Sequence, residues 1–297
     1  MEHSEDAFES YLKYEKRYSE HTVAAYKRDL KEFKTFVSDN GKEEKDVDFK
    51  LIRRWIVKLK NDENNSSRTV NRKIATLRSY FKYLNKTGLT NINPMDKVGL
   101  LKTDKNLPDF VEIDKMDRVL DEEMDDAHDF ETMRDKMVVE LFYMTGMRLS
   151  ELVNLKDSSI DAEAMTVKLL GKRNKERIIP LTDDFLRRLQ VYVSLKNSTF
   201  PDAASLFVLN SGKPIYARWV QRLTDKNLGL ATSAKKRSPH VLRHSFATNM
   251  LSKGAELNAI KELLGHSSLA ATQVYTHSSI KRLKKVYKQA HPRGAKK

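Results

Sequence analysis

The sequence predicts a mostly α-helical protein of two domains, and three observations carry this prediction. Apolar residues recur at steps of three and four along most of the 297 residues, which is the spacing of helices that bury one face. Residues 102–110, KTDKNLPDF, interrupt that spacing as linkers do. Only one pair of stretches is strand-like. We expect a helical N-terminal domain over 1–104 and an α+β C-terminal domain over 105–297 with a small antiparallel β-hairpin or sheet.

Three helices with apolar stripes are predicted in the N-terminal domain. Ser19 or Thr22 can cap the first of them, and the third ends near Gly88. The other faces of the third helix are basic, which is usual for a solvated face but also fits contacts with phosphate groups. The stripes cover residues 23–37, 51–59 and 70–84. The basic residues are Arg68, Arg72, Lys73, Arg78 and Lys82.

The C-terminal domain is predicted to consist of helices around a single β-hairpin. MTVKLL (165–170) and RIIPL (177–181) are the strand-like stretches, and the polar turn GKRNKE joins them. Gly146 and Gly265 can each end a helix, Gly146 in the left-handed conformation. From residue 183 onward the pattern is helical again. The helical stretches are 113–120, 129–144, 149–155, 239–254, 258–265, 268–275 and 279–291.

The composition favours a polyanionic partner. The net charge is +14, so nucleic acid is the first candidate, although a merely basic protein has the same balance. No cysteine is present, which excludes disulfides, cysteine nucleophiles and thiolate metal sites. The N-terminus is acidic and polar, unlike a signal peptide, and no apolar run approaches the length of a membrane span. We expect a cytoplasmic protein without a membrane partner.

His240 and His244 are four residues apart and share one helix face. The spacing suits zinc, but Val241 stands where the HExxH motif has its glutamate, and no third ligand is evident nearby. One surface histidine and one core histidine is the commoner arrangement, and we expect no metal and no cofactor. Arg243 follows His240 by three residues, and a guanidinium beside an imidazole can hold a phosphate.

Arg148, Lys172 and Tyr275 extend this set of groups toward phosphoryl transfer. Taken alone, Arg148 is a surface residue or an ion pair with Glu151, and Lys172 is an ordinary turn lysine. Tyr275 alone is a core aromatic, a DNA-stacking ring or a nucleophile. Gly171 and Lys172 lack the rest of a P-loop, so no nucleoside triphosphate is indicated. Together, arginines can stabilise phosphate charge, a tyrosine can attack, and a lysine or histidine can move protons.

Four sequence blocks resemble the motifs of tyrosine recombinases, the integrase/Xer family, in content, order and spacing. They are TGMRLSELVNL, GKRNKERIIPL, HVLRHSFATNML and LLGHSSLAATQVYTH. The resemblance is closest to Xer-type site-specific recombinases and covers nearly the whole chain. It implies an enzyme that cuts and rejoins DNA through a 3′-phosphotyrosyl intermediate without metal or ATP. It also implies that the N-terminal domain clamps DNA and that the C-terminal domain is catalytic.

The resemblance implies a role for each matching residue. Tyr275 is the nucleophile. It can attack in the site of its own protomer or in that of a neighbour, and the short spacing from His266 favours its own. Arg148 and Arg243 hold the non-bridging oxygens of the scissile phosphate. Lys172 protonates the leaving 5′-oxygen from the hairpin turn.

Three further matches complete the implied site. His240 handles the proton of the tyrosine hydroxyl, and His266 hydrogen-bonds the phosphate. Glu151 supports the residues that contact the phosphate. Arg173 and Lys175 in the hairpin turn are additional candidates for DNA binding.

The last helix, near residues 279–291, carries an apolar stripe that something must bury. In the family the corresponding helix docks into a neighbouring protomer and closes a ring of four. The expected partners are double-stranded DNA with a specific recombination site, a homotetramer or a heterotetramer with a sister recombinase, and a DNA translocase. These partners fit a cytoplasmic, nucleoid-associated protein. The stripe consists of Ile280, Leu283, Val286 and Tyr287.

Chromosome dimer resolution is the role that the length and the two-domain organisation favour. A mobile-element integrase, excisionase or invertase would use the same chemistry. A relaxing topoisomerase or a hairpin-forming resolvase, a DNA-binding protein with a decayed site, and a zinc hydrolase are the remaining alternatives. The complete set of matching residues speaks against decay.

Overall fold

A computed structural model of the chain describes residues 2–103, 110–121, 129–171, 176–231, 237–265 and 277–294. The chain divides into two compact units, Met1–Asn106 and Leu107–Lys297, each with its own hydrophobic core. The mostly helical fold with one small antiparallel sheet agrees with the prediction. None of the described helices is long and apolar enough to cross a membrane.

Four α-helices are described in the N-terminal unit. Ser19, one of the two candidate caps, begins α2 and accepts a hydrogen bond from the Thr22 amide. α1 has no predicted counterpart; it continues into a π-helical turn, Tyr11–Glu15, and brings Phe8 and Leu12 into the core. The helices are α1 (Glu2–Ser10), α2 (Glu20–Asp39), α3 (Phe49–Asn61) and α4 (Ser67–Lys86).

Two ion pairs join α2 to α4 and use basic residues predicted to contact DNA. Asp29 of α2 is 1% exposed and pairs with Arg72. Glu32 pairs with Lys73, which is buried beside Trp55. The ammonium group of Lys73 is buried and is paired with the Glu32 carboxylate. It is therefore not available to a phosphate. Lys73 is thus an interior residue and not one of the proposed DNA contacts.

Eight described helices and a three-stranded antiparallel sheet in the order β1–β2–β3 form the C-terminal unit. Residues 200–216, where helical structure was expected, instead form turns with the bridges Lys156↔Ser205 and Val208↔Pro214. The helices are α5 (Ile113–Asp121), α6 (Phe130–Thr145), α7 (Leu149–Val153), α8 (Asp183–Thr199), α9 (Ala217–Ala231), α10 (Pro239–Ser252), α11 (Leu257–Leu264) and α12 (His277–Ala290). The strands are β1 (Ile160–Asp161), β2 (Thr166–Leu170) and β3 (Glu176–Pro180).

The two predicted strands, β2 and β3, pair with Val167 opposite Ile179 and Leu169 opposite Arg177. β1 pairs with β2 and was not predicted, because two residues are too few to show alternation. Alternate side chains of a strand point to the same face. Arg177 shares the inward face of β3 with Ile179 and is only 3% exposed. The sheet therefore carries a charged side chain into the interior of the unit.

α6 is the central helix of the C-terminal unit and is buried on nearly all sides. Asp129 caps its start by accepting a hydrogen bond from the Thr132 amide at 2.7 Å. Gly146 ends it with φ +56°, and a Cβ atom there would lie 2.7 Å from Phe246 of α10. A glycine at this position therefore allows the end of α6 to approach α10, the helix that carries Arg243.

α12 packs onto its own chain. Leu283 and Tyr287 are 1% and 2% exposed within the core of the C-terminal unit. The Tyr287 hydroxyl donates to the Met144 carbonyl at 3.0 Å. β3, α10 and α11 supply the surface that covers the helix. In the single chain, Leu283 and Tyr287 of the stripe are therefore covered by the same chain. Docking of this helix on a neighbouring protomer stays a prediction.

Candidate active site

Two helix ends meet near α10 and supply the backbone groups of the site. α6 ends at Gly146 and α11 ends at Gly265, both in the left-handed conformation. The last carbonyl groups of a helix have no partner within it and carry the negative end of its dipole. These carbonyls are therefore favourable acceptors for guanidinium groups.

Arg243 of α10 bridges the two helix ends. Its guanidinium donates to the Gly146 carbonyl at 2.5 Å and to the Leu264 carbonyl at 2.8 Å. Burial, together with the positive charges of Arg148 and Arg177, lowers the pKa of Arg243 to about 10. The side chain therefore stays charged at neutral pH and is fixed by two acceptors that carry no full charge.

Arg148 precedes α7 and is held by Glu151. The Glu151 carboxylate accepts from the Arg148 amide at 2.6 Å and from its Nη1 at 2.8 Å. The Nη2 of Arg148 donates to the Gly265 carbonyl at 3.0 Å. Its side chain is nevertheless 35% exposed, so the guanidinium is oriented and still accessible to a ligand.

Arg177 of β3 belongs to the same cluster, although the motif roles did not include it. Its Nη1 and Nη2 donate to the two carboxylate oxygens of Glu151, at 2.7 Å each, and its Nε donates to the Leu263 carbonyl at 2.8 Å. The sequence held a signal for it. Arg177 alternates with Ile179 in a predicted strand, and an arginine on an inward strand face requires an acidic partner.

Glu151 is the carboxylate that Arg148 and Arg177 share, and it is 6% exposed. Burial alone would raise the pKa of its carboxyl group. The hydrogen bonds and charges of Arg177 and Arg148 outweigh burial, and the pKa lies below its usual value. With Arg243 included, three guanidinium groups face one carboxylate. The cluster therefore has an excess of positive charge suited to a phosphate group.

His240 lies in the first turn of α10, one turn before Arg243, and is exposed. It borders a cavity of about 400 Å³ between α9 and the start of α10. The charged residues of the cavity lining are mainly basic, and its one carboxylate, Asp225, pairs with Arg237 at 3.4 Å. The basic and polar residues that line the cavity include Arg218, Gln221, Arg222, Arg237 and His240.

His244 does not form a recognisable metal site with His240. It is half-buried, and its Nε2 lies 3.4 Å from the Thr248 hydroxyl. Across the described ranges, no three histidine, aspartate or glutamate side chains are grouped to hold a metal ion. The expected arrangement was one surface histidine and one core histidine. His240 is at the surface as expected, and His244 is only half-buried.

Five predicted functional residues lie outside the described residues: Lys172, Arg173, Lys175, His266 and Tyr275. Arg148, Glu151, His240 and Arg243 are the predicted site residues that the structure describes, and Glu151 and both arginines converge. In the N-terminal unit, Arg68 and Lys82 are exposed on α4. Arg78 donates to the Val98 carbonyl and is half-buried.

Comparison with known proteins identifies the class to which this fold and site belong. The phage integrase family matches residues 110–282, and the N-terminal SAM-like domain of phage integrases matches residues 6–88. Tyrosine recombinase XerC of Leptospira interrogans is 36% identical over 293 residues, which cover 97% of this chain and 93% of that protein. XerC of Pelobacter propionicus is 38% identical over 291 residues, with 97% and 94% covered.

The fold is also that of a solved recombinase. The structure of XerH site-specific recombinase bound to palindromic difH substrate has a TM-score of 0.72 at 21% identity, covering 89% of this chain and 78% of that chain. The family models and the two XerC relatives define the class, which is that of enzymes that cut and rejoin DNA strands at specific sites. The chain belongs to the phage integrase family of tyrosine recombinases. The resemblance of the four sequence blocks is thus confirmed.

Proposed function

We propose that this recombinase cleaves double-stranded DNA by attack of Tyr275 on the scissile phosphate, which forms a 3′-phosphotyrosyl bond and frees a 5′-hydroxyl. Arg148 and Arg243 bind the two non-bridging oxygens. His240 accepts the proton of the tyrosine, and Lys172 gives a proton to the leaving 5′-oxygen. The covalent bond conserves the energy of the phosphodiester, so the reverse step rejoins strands without ATP.

The observation that carries this proposal is the convergence of Arg148 and Arg243 on one partly accessible site. Each guanidinium has five N–H donors, and the bonds within the chain use only some of them. The remaining donors can bind phosphate oxygens in pairs. The proposed nucleophile needs such a site, because a free tyrosine has a pKa of about 10 and is a weak nucleophile at neutral pH. His266 adds a hydrogen bond to the phosphate, and Glu151 orients Arg148.

Duplex DNA beside the scissile phosphate is proposed to lie against α9. Arg218, Gln221 and Arg222 are exposed on one face of this helix and border the cavity that His240 shares. Arginine and glutamine are the side chains that make paired hydrogen bonds to guanine and adenine in the major groove. The proposed additional phosphate contacts are Arg68, Arg72, Arg78, Lys82, Arg173 and Lys175.

Chromosome dimer resolution is the proposed biological role. It is supported by two relatives named XerC that match this chain over nearly their full lengths. On DNA we propose a tetramer, either of this chain alone or with a sister recombinase, in which α12 leaves its own chain and docks on a neighbour. A DNA translocase is a further proposed partner.

One capture experiment tests the chemistry. The protein is incubated in EDTA with a pool of nicked duplexes randomised around the nick, so that cleavage releases a short fragment and traps the covalent adduct. Adducts are isolated under denaturing conditions and sequenced. We expect captured DNA to share a sequence and Tyr275→Phe to capture none. Arg148→Ala and Arg243→Ala should each slow capture about 10²–10³-fold while most DNA binding remains.

The same pool separates the alternatives. Absence of any adduct would contradict the proposed function, and an adduct formed by Tyr275→Phe would reveal another nucleophile. Capture that requires a metal would overturn the metal-independent chemistry. Arg218→Ala should change the captured sequence, whereas Lys226→Ala, exposed on α9 but outside the cavity lining, should not. An unchanged sequence with Arg218→Ala would remove α9 from the proposed DNA contacts.

A further inference from the structure

We propose that Arg177 is a positioning residue of the recombinase, one that acts through Glu151 and the end of α11 and does not touch the DNA. This role rests on the function proposed above, because it requires Arg148 to bind the scissile phosphate. Arg177 is 3% exposed on the inward face of β3. Its guanidinium is thus separated from the surface that DNA would reach.

All three nitrogen atoms of the Arg177 guanidinium already have acceptors. Nη1 and Nη2 each meet one oxygen of Glu151 at 2.7 Å, and Nε meets the Leu263 carbonyl at 2.8 Å. Only arginine presents donors in this planar fork, and a lysine would supply a single point charge. The arrangement therefore fixes both the position and the plane of the Glu151 carboxylate.

The plane of that carboxylate sets Arg148. The Oε1 atom that accepts from Arg177 also accepts from Arg148 Nη1 at 2.8 Å, and Oε2 accepts from the Arg148 amide at 2.6 Å. Without Arg177, Glu151 would be a buried carboxylate whose only contacting guanidinium is Arg148. The positive charge of Arg148 would then neutralise the Glu151 carboxylate. Arg177 supplies the counter-charge instead and leaves Arg148 available to a phosphate.

The second contact of Arg177 reaches the end of α11. Leu263 lies two residues before Gly265, after which the chain continues to His266 and the proposed nucleophile. A Cβ atom at Gly265 would lie 3.0 Å from Cδ of Arg177, so the arginine stem packs directly on the last turn of the helix. Arg177 therefore connects β3 with two other motif blocks of the site.

The test is Arg177→Lys, which keeps the charge and removes the fork. The substrate is a nicked duplex with the sequence recovered in the capture experiment. The single-turnover rate of adduct formation is measured on it at saturating protein, and the Kd for the same DNA is measured separately. We expect adduct formation to slow about 10²-fold, the loss typical of a small displacement of a catalytic group, with Kd unchanged. Arg187→Lys is the matched control, since Arg187 is 66% exposed and paired with Asp183 on α8; its rate should equal that of the wild type.

A methylphosphonate at the scissile position separates positioning from general damage. Replacing one non-bridging oxygen by methyl removes the phosphate charge that Arg148 stabilises. The defect of Arg177→Lys should therefore shrink on this substrate, whereas a merely structural defect would be equal on both substrates. Glu151→Gln should show the same selective loss, and the double variant should lose less than the two single losses combined.

The outcomes are distinguishable from those of the proposed function. If the wild type forms no adduct, the proposed function itself is wrong. If the wild type forms adduct and Arg177→Lys matches its rate, only the positioning role is overturned. If Arg177→Lys does not fold, the rate of adduct formation by Glu151→Gln is measured on the phosphodiester and the methylphosphonate substrate instead. An equal loss of rate on both substrates would overturn the positioning role.

Discussion

At the scale of single residues, backbone carbonyls hold the arginines of the site as much as side chains do. Three consecutive carbonyls at the end of α11 accept from three different arginines: Leu263 from Arg177, Leu264 from Arg243 and Gly265 from Arg148. A carbonyl at a helix end orients a guanidinium and leaves its positive charge in place. A carboxylate in the same position would neutralise that charge. The arginines are thus positioned by the protein itself, and their excess charge stays available for the phosphate that we propose Arg148 and Arg243 bind.

Gly265→Ala and Gly254→Ala form a matched pair that tests this positioning. Both glycines have left-handed φ angles, +66° and +84°, so each alanine should cost about 1–2 kcal/mol of folding free energy. Only at Gly265 would the new Cβ press on Arg177, at 3.0 Å, whereas nothing lies within 4 Å at Gly254. We expect similar losses of stability by chemical denaturation, and slower adduct formation for Gly265→Ala alone. Equal rates for the two variants would show that the contact with Arg177 has no catalytic effect.

Local sequence patterns predicted which residue types share the site but not which basic residues are buried. Motif spacing was enough to group Arg148 with Glu151. Lys73 and Arg177 were missed as interior residues because their acidic partners lie far away along the chain. Lys73 pairs with Glu32 of another helix, and Arg177 pairs with a residue of another motif block. Burial of a charge depends on such distant partners, and no local period shows them.

At the scale of elements, amphipathic spacing predicted helices well where one face meets water. α2, α3 and α4 show this, since each has a buried stripe and an exposed face. The same reasoning predicted helical structure for residues 200–216, and this prediction is wrong. Leu206, Phe207 and Val208 are buried in succession, at 1% exposure or less, outside any helix or named strand. A short apolar run has no period, and its secondary structure depends on the surface that receives it.

The end of α12 is closed by a histidine that must be neutral. His291 stacks on Tyr287 with 4.6 Å between ring centroids. Its Nδ1 accepts from the Arg293 amide at 3.1 Å, and its Nε2 lies 3.4 Å from the Tyr143 carbonyl. These partners assign the proton to Nε2. A second proton on Nδ1 would break a hydrogen bond and bury a charge.

His291 should therefore make the protein less stable in mild acid. Burial lowers the pKa of His291 to about 3, whereas an unfolded histidine titrates near 6.5. Between these pH values the unfolded chain binds the extra proton, so the free energy of unfolding falls as pH falls. We expect a contribution of about 2 kcal/mol to be lost between pH 7 and pH 5, measured by urea denaturation.

His291→Phe is the control for this titration, because phenylalanine keeps the aromatic stack and does not titrate. The difference in unfolding free energy between wild type and variant isolates His291 from the carboxylates that also titrate in acid. A difference that stays constant between pH 7 and pH 5 would contradict a buried neutral histidine.

At the scale of the whole molecule, the described residues that we propose to be catalytic all belong to the C-terminal unit. The chain divides after Asn106, inside the polar segment 102–110 that interrupts the helical spacing. Composition could indicate this division because a linker differs from its surroundings. It could not indicate what covers the apolar stripe of α12. A helix buries the same residues whether the receiving surface belongs to its own chain or to a neighbour, so periodicity is silent on that choice.

Locking α12 in place tests whether assembly on DNA requires its release. Arg282 of α12 pairs with Glu262 of α11 at 2.7 Å, and the Arg282 side chain is 54% exposed. Because the chain has no cysteine, Glu262→Cys and Arg282→Cys can be joined selectively by a flexible bis-maleimide. We expect the cross-linked protein to bind a single half-site with unchanged Kd and to form no tetramer on native gels or by mass photometry.

The same double variant without the cross-linker is the internal control. It lacks the ion pair between the half-exposed Arg282 and the largely buried Glu262 but leaves α12 free. Its assembly should match that of the wild type, so any difference between the two samples belongs to the tether. A cross-linked protein that still forms tetramers and recombines DNA would mean that α12 stays on its own chain throughout. Another surface of the C-terminal unit would then have to join the protomers.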